Sequence, residues 1–318
     1  MADTSARPRQ GRLAFPRQSI AGAALLIIAW PIAWSGREPW TWYTFVPLWL
    51  GYIFSLDGIN LMRTGTSLLT RSRREFAFLF LTSAPLWWIF ELFNLRIDNW
   101  YYTIPFAYTR LEYVVLGSIA FSTVVPAIFE TADLYRSLIP RRPIRWVAAF
   151  AGGRGWIGSV VLGLVMVGLL FLFPGEAYPL VWISVFFLID GINRRLGLPS
   201  ITAQTAGHRW DTVAILILAG LTCGFFWEMW NYWSVPKWTY SVPYVGILPV
   251  FEMPILGYLG YIPFSLEVFA LYHLLRRALG PTRPGYVSFD DLVTADRTSD
   301  EGNGRGTMGG PIRSRRMS

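Results

Sequence analysis

The sequence predicts an all-α, polytopic integral membrane helical bundle of about eight spans, built from two parallel four-helix repeats. Three observations lead to this fold class: the composition is apolar, the apolar residues form blocks long enough to cross a bilayer, and several polar motifs occur twice in the same order. Of the 318 residues, 53% are hydrophobic and 15% are charged, whereas about 25% are charged in an average soluble domain. This composition excludes a disordered chain and argues against a soluble enzyme.

The apolar blocks place the spans at about 19–35, 43–62, 76–95, 112–135, 156–174, 179–193, 211–231 and 251–275. Each block is close to the roughly 20 residues that a helix needs to cross the hydrocarbon core, although the sixth is short. The predicted units are a basic N-terminal segment (1–18), a first transmembrane repeat (19–135), a linker (136–155), a second repeat (156–277) and a tail (278–318). The tail is polar and Gly-rich, so we expect it to be disordered.

The basic residues are distributed unevenly between the two sides of the predicted bundle. All but four of the 28 Lys and Arg residues fall in loops and termini on one side, and the other side has Arg37, Arg96, Arg110 and Lys237. Since basic loops stay cytoplasmic, we expect a multi-pass protein of a bacterial-type inner membrane with both termini in the cytoplasm. The net charge of +8 then needs no nucleic acid as a partner, and membrane lipids are the expected contacts. The oligomeric state stays open.

Five short motifs recur along the chain in the same order, at offsets between 133 and 140 residues. This regularity is typical of an internal duplication. Each copy holds an even number of predicted spans, so both copies enter the membrane from the same side and a pseudo-two-fold axis along the membrane normal is expected. The recurring motifs are Asp57-Gly58-Ile59-Asn60 with Asp190-Gly191-Ile192-Asn193, Phe90-Glu91-Leu92-Phe93-Asn94 with Trp227-Glu228-Met229-Trp230-Asn231, Trp100-Tyr101-Tyr102-Thr103-Ile104-Pro105 with Trp238-Thr239-Tyr240-Ser241-Val242-Pro243, Glu112 with Glu252, and Pro126 and Glu130 with Pro263 and Glu267.

Polar side chains inside the apolar blocks form two layers. Ionisable groups at membrane depth are costly, so they usually face protein or water and often mark function. The outer layer comprises Glu91, Asn94, Glu112, Glu228, Asn231 and Glu252, and the inner layer comprises Asp57, Asn60, Glu130, Asp190, Asn193 and Glu267. The candidate catalytic acids are Glu228, Glu91, Glu130 and Glu267.

In the outer layer, Glu and Asn are three residues apart and share a helix face near the end of an outward-running span. The loop that follows carries Trp and Tyr in both copies. A carboxyl group in such a low-dielectric site stays protonated, as a general acid must, while the amide and the rings hold a substrate. The candidate substrate-binding residues are Asn94, Asn231, Trp100, Tyr102, Trp238, Tyr240, Glu112 and Glu252. The structural alternative is equally open, because aromatic belts mark membrane interfaces and buried polar pairs join helices.

The inner layer has a more structural character. Asp-Gly is a strong turn signal, so the Asp-Gly-Ile-Asn motif is expected to end a helix in each copy. Asp190 can also form an ion pair with Arg194, four residues later. Glu130 and Glu267 lie deeper, where each can accept a hydrogen bond from an Asn or a Tyr of a neighbouring helix.

Several kinds of chemistry are not indicated. His208 and His273 lie apart from both carboxylate layers, so a histidine-based zinc, haem or di-iron site is not expected. The sequence has neither a G-x-x-x-x-G-K-[ST] phosphate loop nor an Asp-rich magnesium–diphosphate motif. We expect no cofactor and no metal, although a carboxylate-only site for magnesium or calcium stays open. Cys223 is the only cysteine, and we expect it to be a small buried residue.

Three functions fit these features. The first is a membrane-embedded enzyme that acts on a lipid-soluble, isoprenoid- or carotenoid-like substrate by carboxylic-acid protonation, with aromatic rings stabilising carbocations. In broad architecture the chain is similar to small membrane carotenoid cyclases built from repeated acidic-helix units, an analogy of architecture alone. The second function is a proton-coupled transporter with the acidic residues as the relay. The third is a structural or assembly subunit without catalysis, in which every polar pair joins helices.

Overall fold

The computed structural model describes residues 15–104, 107–139, 144–280 and 286–287. Most of the basic N-terminal segment lies outside the described residues. The same holds for most of the C-terminal tail, for which we predict disorder. The helices are α1 (Arg17–Trp34), α2 (Phe45–Thr64), α3 (Leu68–Arg71), α4 (Arg73–Ile97), α5 (Arg110–Phe121), α6 (Val124–Leu138), α7 (Gly155–Leu172), α8 (Pro174–Ala177), α9 (Ser184–Arg195), α10 (Ile201–Ala206), α11 (Asp211–Tyr232) and α12 (Tyr261–Ala278). The strands are β1 (Trp100–Thr103), β2 (Lys237–Tyr240), β3 (Pro249–Val250) and β4 (Met253–Pro254), and 3₁₀ turns cover Trp40–Tyr43, Tyr178–Trp182 and Ile255–Gly260.

Seven helical segments of the described chain are long and apolar enough to cross a membrane. An eighth span is formed if Pro174–Trp182 and Ser184–Arg195, which meet at an angle of 43°, are taken together. The prediction of a helical, multi-pass membrane protein with about eight spans is therefore confirmed. The bent pair corresponds to the short sixth block of the sequence, in which Pro179 lies in the 3₁₀ turn. The seven segments are Arg17–Trp34, Phe45–Thr64, Arg73–Ile97, Arg110–Leu138, Gly155–Leu172, Asp211–Tyr232 and Ile255–Ala278.

Glycine allows the closest contacts between helices. Gly58 of α2 packs against α1, and a Cβ atom at this position would overlap Ser19. Gly191 of α9 packs against α7, where a Cβ would lie 2.9 Å from the carbonyl oxygen of Trp156. Small residues of this kind let membrane helices approach one another. The expectation that Asp-Gly-Ile-Asn ends a helix is therefore wrong, because both copies lie inside helices and their glycines serve packing.

Asp57 and Asp190 hold the start of the short helix that follows each of them. Oδ2 of Asp57 accepts a hydrogen bond from the backbone N–H of Leu69 at 2.9 Å. In the second half, Oδ1 of Asp190 accepts from the N–H of Ile201 and Oδ2 from that of Thr202, each at 2.8 Å. A carboxylate at a helix N-terminus satisfies N–H groups that have no partner within the helix. Both aspartates therefore have a structural role at the start of α3 and α10.

The expected ion pair between Asp190 and Arg194 is absent from the described part of the chain. Arg194 donates instead to the backbone carbonyls of Phe150 and Gly152, at 2.8 and 2.9 Å. The carboxyl group of Asp190 is already occupied by the N-terminus of α10, so it is not available to the arginine. Arg194 thus ties the linker to α9.

The strands β1 and β2, one from each half of the chain, form a two-stranded antiparallel ribbon. Its register pairs Trp100 with Tyr240 and Tyr102 with Trp238. Because β1 follows α4 and β2 follows α11, these two long helices end at the same end of the bundle. We call this the ribbon end, and we call the opposite end, where α4 begins, the arginine end.

Asn94 and Asn231 fasten the ribbon to the two helices. Nδ2 of Asn94 donates to the carbonyl of Trp100 at 2.8 Å, and its Oδ1 accepts from the N–H of the same residue at 3.3 Å. Asn231 makes the same two bonds with Trp238, at 2.7 and 2.8 Å. Each amide therefore satisfies strand groups that would otherwise need water or another strand.

At the arginine end, a buried ion pair joins α4 to α12. Arg276 donates from Nε to Oε2 of Glu75 at 2.9 Å and from Nη2 to Oε1 at 2.8 Å. The guanidinium group also lies over the ring of Phe78, at 4.1 Å from its centroid. Arg276 is 1% exposed, so this two-pronged contact links the first half of the chain to the second out of reach of water.

Removal of one partner from this pair should destabilise the fold strongly. In Arg276→Leu the carboxylate of Glu75 stays buried without its partner, and we expect a loss of about 3–5 kcal/mol in the free energy of unfolding. Thermal unfolding in detergent measures the effect. In the control Arg63→Leu, which removes a bond of 2.9 Å from an exposed arginine to Ser137, the loss should be within about 0.5 kcal/mol. Equal stability of the two variants would contradict a stabilising role of the pair between Arg276 and Glu75.

Candidate functional site

A cavity of about 770 Å³ lies at the ribbon end of the bundle. This volume is in the range of sites for small organic molecules. Both halves of the chain contribute to its wall, and most of the lining side chains are apolar or aromatic. The aromatic part of the wall includes Trp42, Trp87, Trp100, Tyr102, Tyr113, Trp182, Trp227, Trp230, Trp238, Tyr240, Tyr261 and Phe264.

Glu91 lies behind this wall and accepts three hydrogen bonds on one oxygen. Its Oε1 accepts from Nε1 of Trp87 at 2.9 Å, from Nε1 of Trp100 at 3.1 Å and from the hydroxyl of Tyr102 at 2.6 Å. Trp87 precedes Glu91 by one turn of α4, and the ribbon supplies the other two donors. All three donors line the cavity, so they hold the carboxyl group at a fixed position behind an aromatic surface.

Glu228 is fully buried and has a related network in the second half. Its Oε1 accepts from the hydroxyls of Tyr240 and Tyr261, each at 2.6 Å. Nε1 of Trp238 donates to the hydroxyl oxygen of Tyr240 at 2.7 Å and extends the network along the ribbon. No described residue bonds Oε2 of Glu228. A buried oxygen without a partner is costly, so this oxygen is the natural position for the proton of a neutral carboxyl group.

The two networks differ in the acceptor of the ribbon indole, which is Glu91 for Trp100 and Tyr240 for Trp238, and in one further donor. A glycine explains the second difference. Trp87 stands four residues before Glu91, whereas Gly224 stands four residues before Glu228. A Cβ atom at Gly224 would overlap the ring of Tyr261. The glycine therefore leaves the space through which Tyr261 of α12 reaches the carboxyl group. In the second half, the hydroxyl of Tyr261 thus takes the place that the indole of Trp87 has in the first.

Tyrosine hydroxyls stand between the glutamates and the cavity. In the described ranges, Tyr102 and Tyr240 line the cavity, while Glu91 and Glu228 do not. Burial and the adjacent carboxyl group raise the pKa of Tyr102 and of Tyr240 well above that of a free phenol, so both stay protonated. Each hydroxyl is therefore a neutral donor that stands between one glutamate and the cavity.

The remaining predicted substrate-binding residues have structural contacts. Asn94 and Asn231 bond the ribbon backbone, as described above. Glu112 is exposed and forms a capping box at the start of α5, where it accepts two hydrogen bonds of 2.8 Å from the N-cap residue. Glu252 pairs with Lys237 at 2.5 Å. Among the described residues that line the cavity, these two asparagines and two glutamates do not occur. Their contact with a substrate stays a prediction.

Glu130 and Glu267, the two acids of the inner layer, are fully buried. Oε2 of Glu130 accepts from Nδ2 of Asn60 at 2.9 Å, the type of contact expected from the sequence. In the second half, Nδ2 of Asn193 donates to the carbonyl of Ala270 at 2.8 Å, and no described residue bonds either carboxyl oxygen of Glu267. Neither glutamate is among the described residues that line the cavity. Their catalytic role stays a prediction.

Three residues of the site are not indicated by the motifs of the sequence. Trp87 has a detectable signal, because it precedes Glu91 by four residues and shares its helix face. Tyr261 has none, since it comes from α12 and reaches Glu228 only because of Gly224. Trp182 lies in the 3₁₀ turn before α9 and lines the cavity without belonging to any repeated motif.

A double-mutant cycle tests the relation between Gly224 and Tyr261. Gly224→Ala should displace the ring and lower the free energy of unfolding by about 1–3 kcal/mol. Tyr261→Val removes the ring, so the double variant should lose less than the sum of the single losses. Thermal unfolding of the four proteins gives the coupling. Gly168→Ala is the control, since nothing lies within 4 Å of a Cβ there; additive losses would contradict the steric relation.

Comparisons of the chain with protein-family models, with curated proteins and with solved structures gave no match. A helical membrane bundle is compatible with many functions, so the fold does not assign one by itself. The aromatic cavity and the two acidic groups behind it are therefore the basis for a functional assignment.

Proposed function

We propose that the protein is a membrane-embedded enzyme that acts on a lipid-soluble, isoprenoid- or carotenoid-like substrate by protonation from a carboxylic acid. The observation that carries this proposal is the aromatic cavity with a phenol–carboxyl pair from each half, Tyr102 with Glu91 and Tyr240 with Glu228. An apolar pocket of this size with a few convergent polar groups is the usual form of a small-molecule site. A subunit whose polar pairs only join helices has no use for such a cavity.

The phenol–carboxyl pairs supply the proton. In the bond described above Tyr240 is the donor, so the reaction begins when its hydroxyl hydrogen turns from Oε1 of Glu228 into the cavity and the neutral carboxyl group turns to donate its hydrogen to the phenol oxygen. Transfer of that hydrogen to a carbon–carbon double bond forms a C–H bond from the π electrons and leaves a carbocation, while the proton of Glu228 restores the phenol. Loss of a proton from a neighbouring carbon to the carboxylate, by the same path in reverse, ends the cycle. An isomerisation or cyclisation of this kind needs no co-reactant.

Aromatic rings stabilise the cationic intermediate. The face of an aromatic ring attracts a cation through its quadrupole, most strongly where water is excluded. Trp227 lines the cavity and is stacked on Tyr261 with ring centroids 6.0 Å apart and an interplanar angle of 24°. Trp182 is stacked on Phe90 at 5.6 Å and 23°. These rings are fixed by packing, so they present preorganised faces to a substrate.

We also propose that the two halves are parallel repeats related by a pseudo-two-fold axis along the membrane normal. The ribbon register supports this, because Trp100 pairs with Tyr240, the counterpart of Tyr102, and Tyr102 pairs with Trp238, the counterpart of Trp100. A contact between two copies related by a two-fold axis has this reciprocal form. The matching bonds of Asn94 and Asn231 support it as well. With the Arg-rich loops at the opposite end, this arrangement puts both termini in the cytoplasm of a bacterial-type inner membrane.

Replacement of the Glu228 carboxyl group by an amide should abolish the proposed protonation and leave the fold intact. In Glu228→Gln the side-chain oxygen still accepts from Tyr240 and Tyr261, so the change in stability should stay near 1 kcal/mol or below, about the value of one helix–helix hydrogen bond. The titrating proton is lost. Proteoliposomes that contain squalene are incubated in D₂O, and mass spectrometry follows deuterium at its vinylic carbons. We expect incorporation by the wild type and a rate about 10²–10⁴-fold lower in Glu228→Gln.

Glu112→Gln is the matched control, because the same change is made at an exposed carboxylate and glutamine also fits a capping box. Its rate should equal that of the wild type. The double variant Glu91→Gln, Glu228→Gln tests whether the exchange depends on these two acids. Full exchange in this variant would show that the outer layer is structural and would direct attention to Glu130 and Glu267.

The lipids that co-purify with the protein test the class of substrate. The protein is extracted in nanodiscs without detergent, and its lipids are compared by mass spectrometry with those of the surrounding membrane. We expect enrichment of a polyisoprenoid. In Ala120→Phe, where a ring replaces a methyl group on the cavity wall, the enrichment should fall. Enrichment of a water-soluble solute, or of ordinary phospholipid alone, would favour the transporter or the structural subunit.

A further inference from the structure

Two segments of the cavity wall contain no buried residue. On α5, Leu116 and Ile119 line the cavity and are 38% and 47% exposed. On the 3₁₀ turn Ile255–Gly260, Leu256 and Leu259 line it and are 45% and 58% exposed. At these two segments the cavity wall is therefore formed by surface residues of the bundle.

Both segments belong to candidate membrane spans. Leu116 and Ile119 lie within Arg110–Leu138, and Leu256 and Leu259 lie within Ile255–Ala278. All four side chains are apolar, so the outer surface that they form is suited to hydrocarbon and not to water. Each segment is followed by a change of helix, at Ser122–Thr123 before α6 and at Gly260 before α12.

Of the described residues in the cavity wall, one carries a charge. Lys237 lines the cavity and pairs with Glu252 at 2.5 Å, and its Nζ also lies 6.0 Å from the centroid of the Tyr232 ring. The charge of the lysine is thereby compensated by a neighbouring carboxylate. A charged, water-soluble substrate would have to break this pair, whereas an apolar one that comes from the side does not.

We propose that a lateral opening between α5 and the turn Ile255–Gly260 lets a hydrocarbon-chain substrate pass from the bilayer into the cavity. The proposal rests on the proposed function for the chemistry that follows, but not for the route. A molecule dissolved in the membrane reaches the aromatic wall by this path without crossing water. The leucine and isoleucine side chains there are largely exposed, so few protein contacts hold them in place.

A photo-crosslinking experiment tests the route. The probe is geranylgeraniol with a diazirine at the end of its chain, dissolved in the bilayer of proteoliposomes and activated by a brief flash. Peptide mass spectrometry should find labels on α5, on the segment 255–260 and on cavity residues such as Trp182 and Phe264. The double variant Ile119→Trp, Leu259→Trp fills the proposed opening, and we expect it to lose the labels in the cavity while it keeps those on the outer surface of α7.

Leu164→Trp is the matched control, because Leu164 is a lipid-exposed residue of α7, 55% exposed, and is not among the described residues of the cavity wall. It should keep the full set of labels. Leu256→Trp provides a second plug at another position in case the double variant does not fold, as judged by its melting temperature. Unchanged cavity labels in the folded plug variants, or no cavity label in the wild type, would overturn the proposal.

Glu228→Gln separates the route from the chemistry. It should bind and carry cavity labels like the wild type, since its hydrogen bonds are retained and the opening is elsewhere. Wild-type labelling together with an absence of deuterium exchange would disprove the proposed protonation and leave the lateral opening supported. Deuterium exchange at the full rate in the plug variants would count against the opening alone.

Discussion

The antiparallel contact between β1 and β2 is the interaction on which the cavity depends. Backbone groups near a membrane need partners within the protein, and here each half provides the partner for the other. The ribbon carries Tyr102 and Tyr240 to the carboxyl groups behind the wall, and it places Trp100 and Trp238 in the wall itself. Asn94 and Asn231 fix its position relative to the helices. Without this contact the ribbon donors to both glutamates would be lost together, and only Trp87 and Tyr261 would remain.

The two acidic groups are held alike but not identically. Both accept a tyrosine hydroxyl at 2.6 Å. Glu91 is only half-buried and takes its further donors from indoles, whereas Glu228 is fully buried and takes a second phenol from α12. A neutral carboxyl group is favoured most where burial is complete. In the proposed reaction Glu228 is therefore the first proton donor. Glu91 either protonates a substrate at its own side of the cavity or accepts the proton that the carbocation loses.

The sequence predicts the features that are local or repeated. The helical spans follow from hydropathy, and the tyrosine partners of both glutamates lie 11 and 12 residues further along the chain in a repeated motif. Cys223 is buried, as expected for a lone apolar cysteine. The Asp-Gly-Ile-Asn motif misleads because Asp-Gly favours turns in water, whereas between membrane helices Gly58 serves close packing. Contacts between residues far apart in the sequence have no pattern from which they can be predicted. Arg276 pairs with Glu75, 201 positions away, and in the sequence the charge of Arg276 indicates only the topology of the spans.

The central claim is that the aromatic cavity holds a water-insoluble chain next to the tyrosine hydroxyls. Cryo-electron microscopy of the protein in nanodiscs, extracted from its native membrane without detergent, tests it most directly. We expect elongated density inside the cavity, in contact with Tyr240 and Tyr102, that continues toward Leu259. A cavity that contains only ordered water, or one that is closed by a different arrangement of the ribbon, would contradict a site for such a chain.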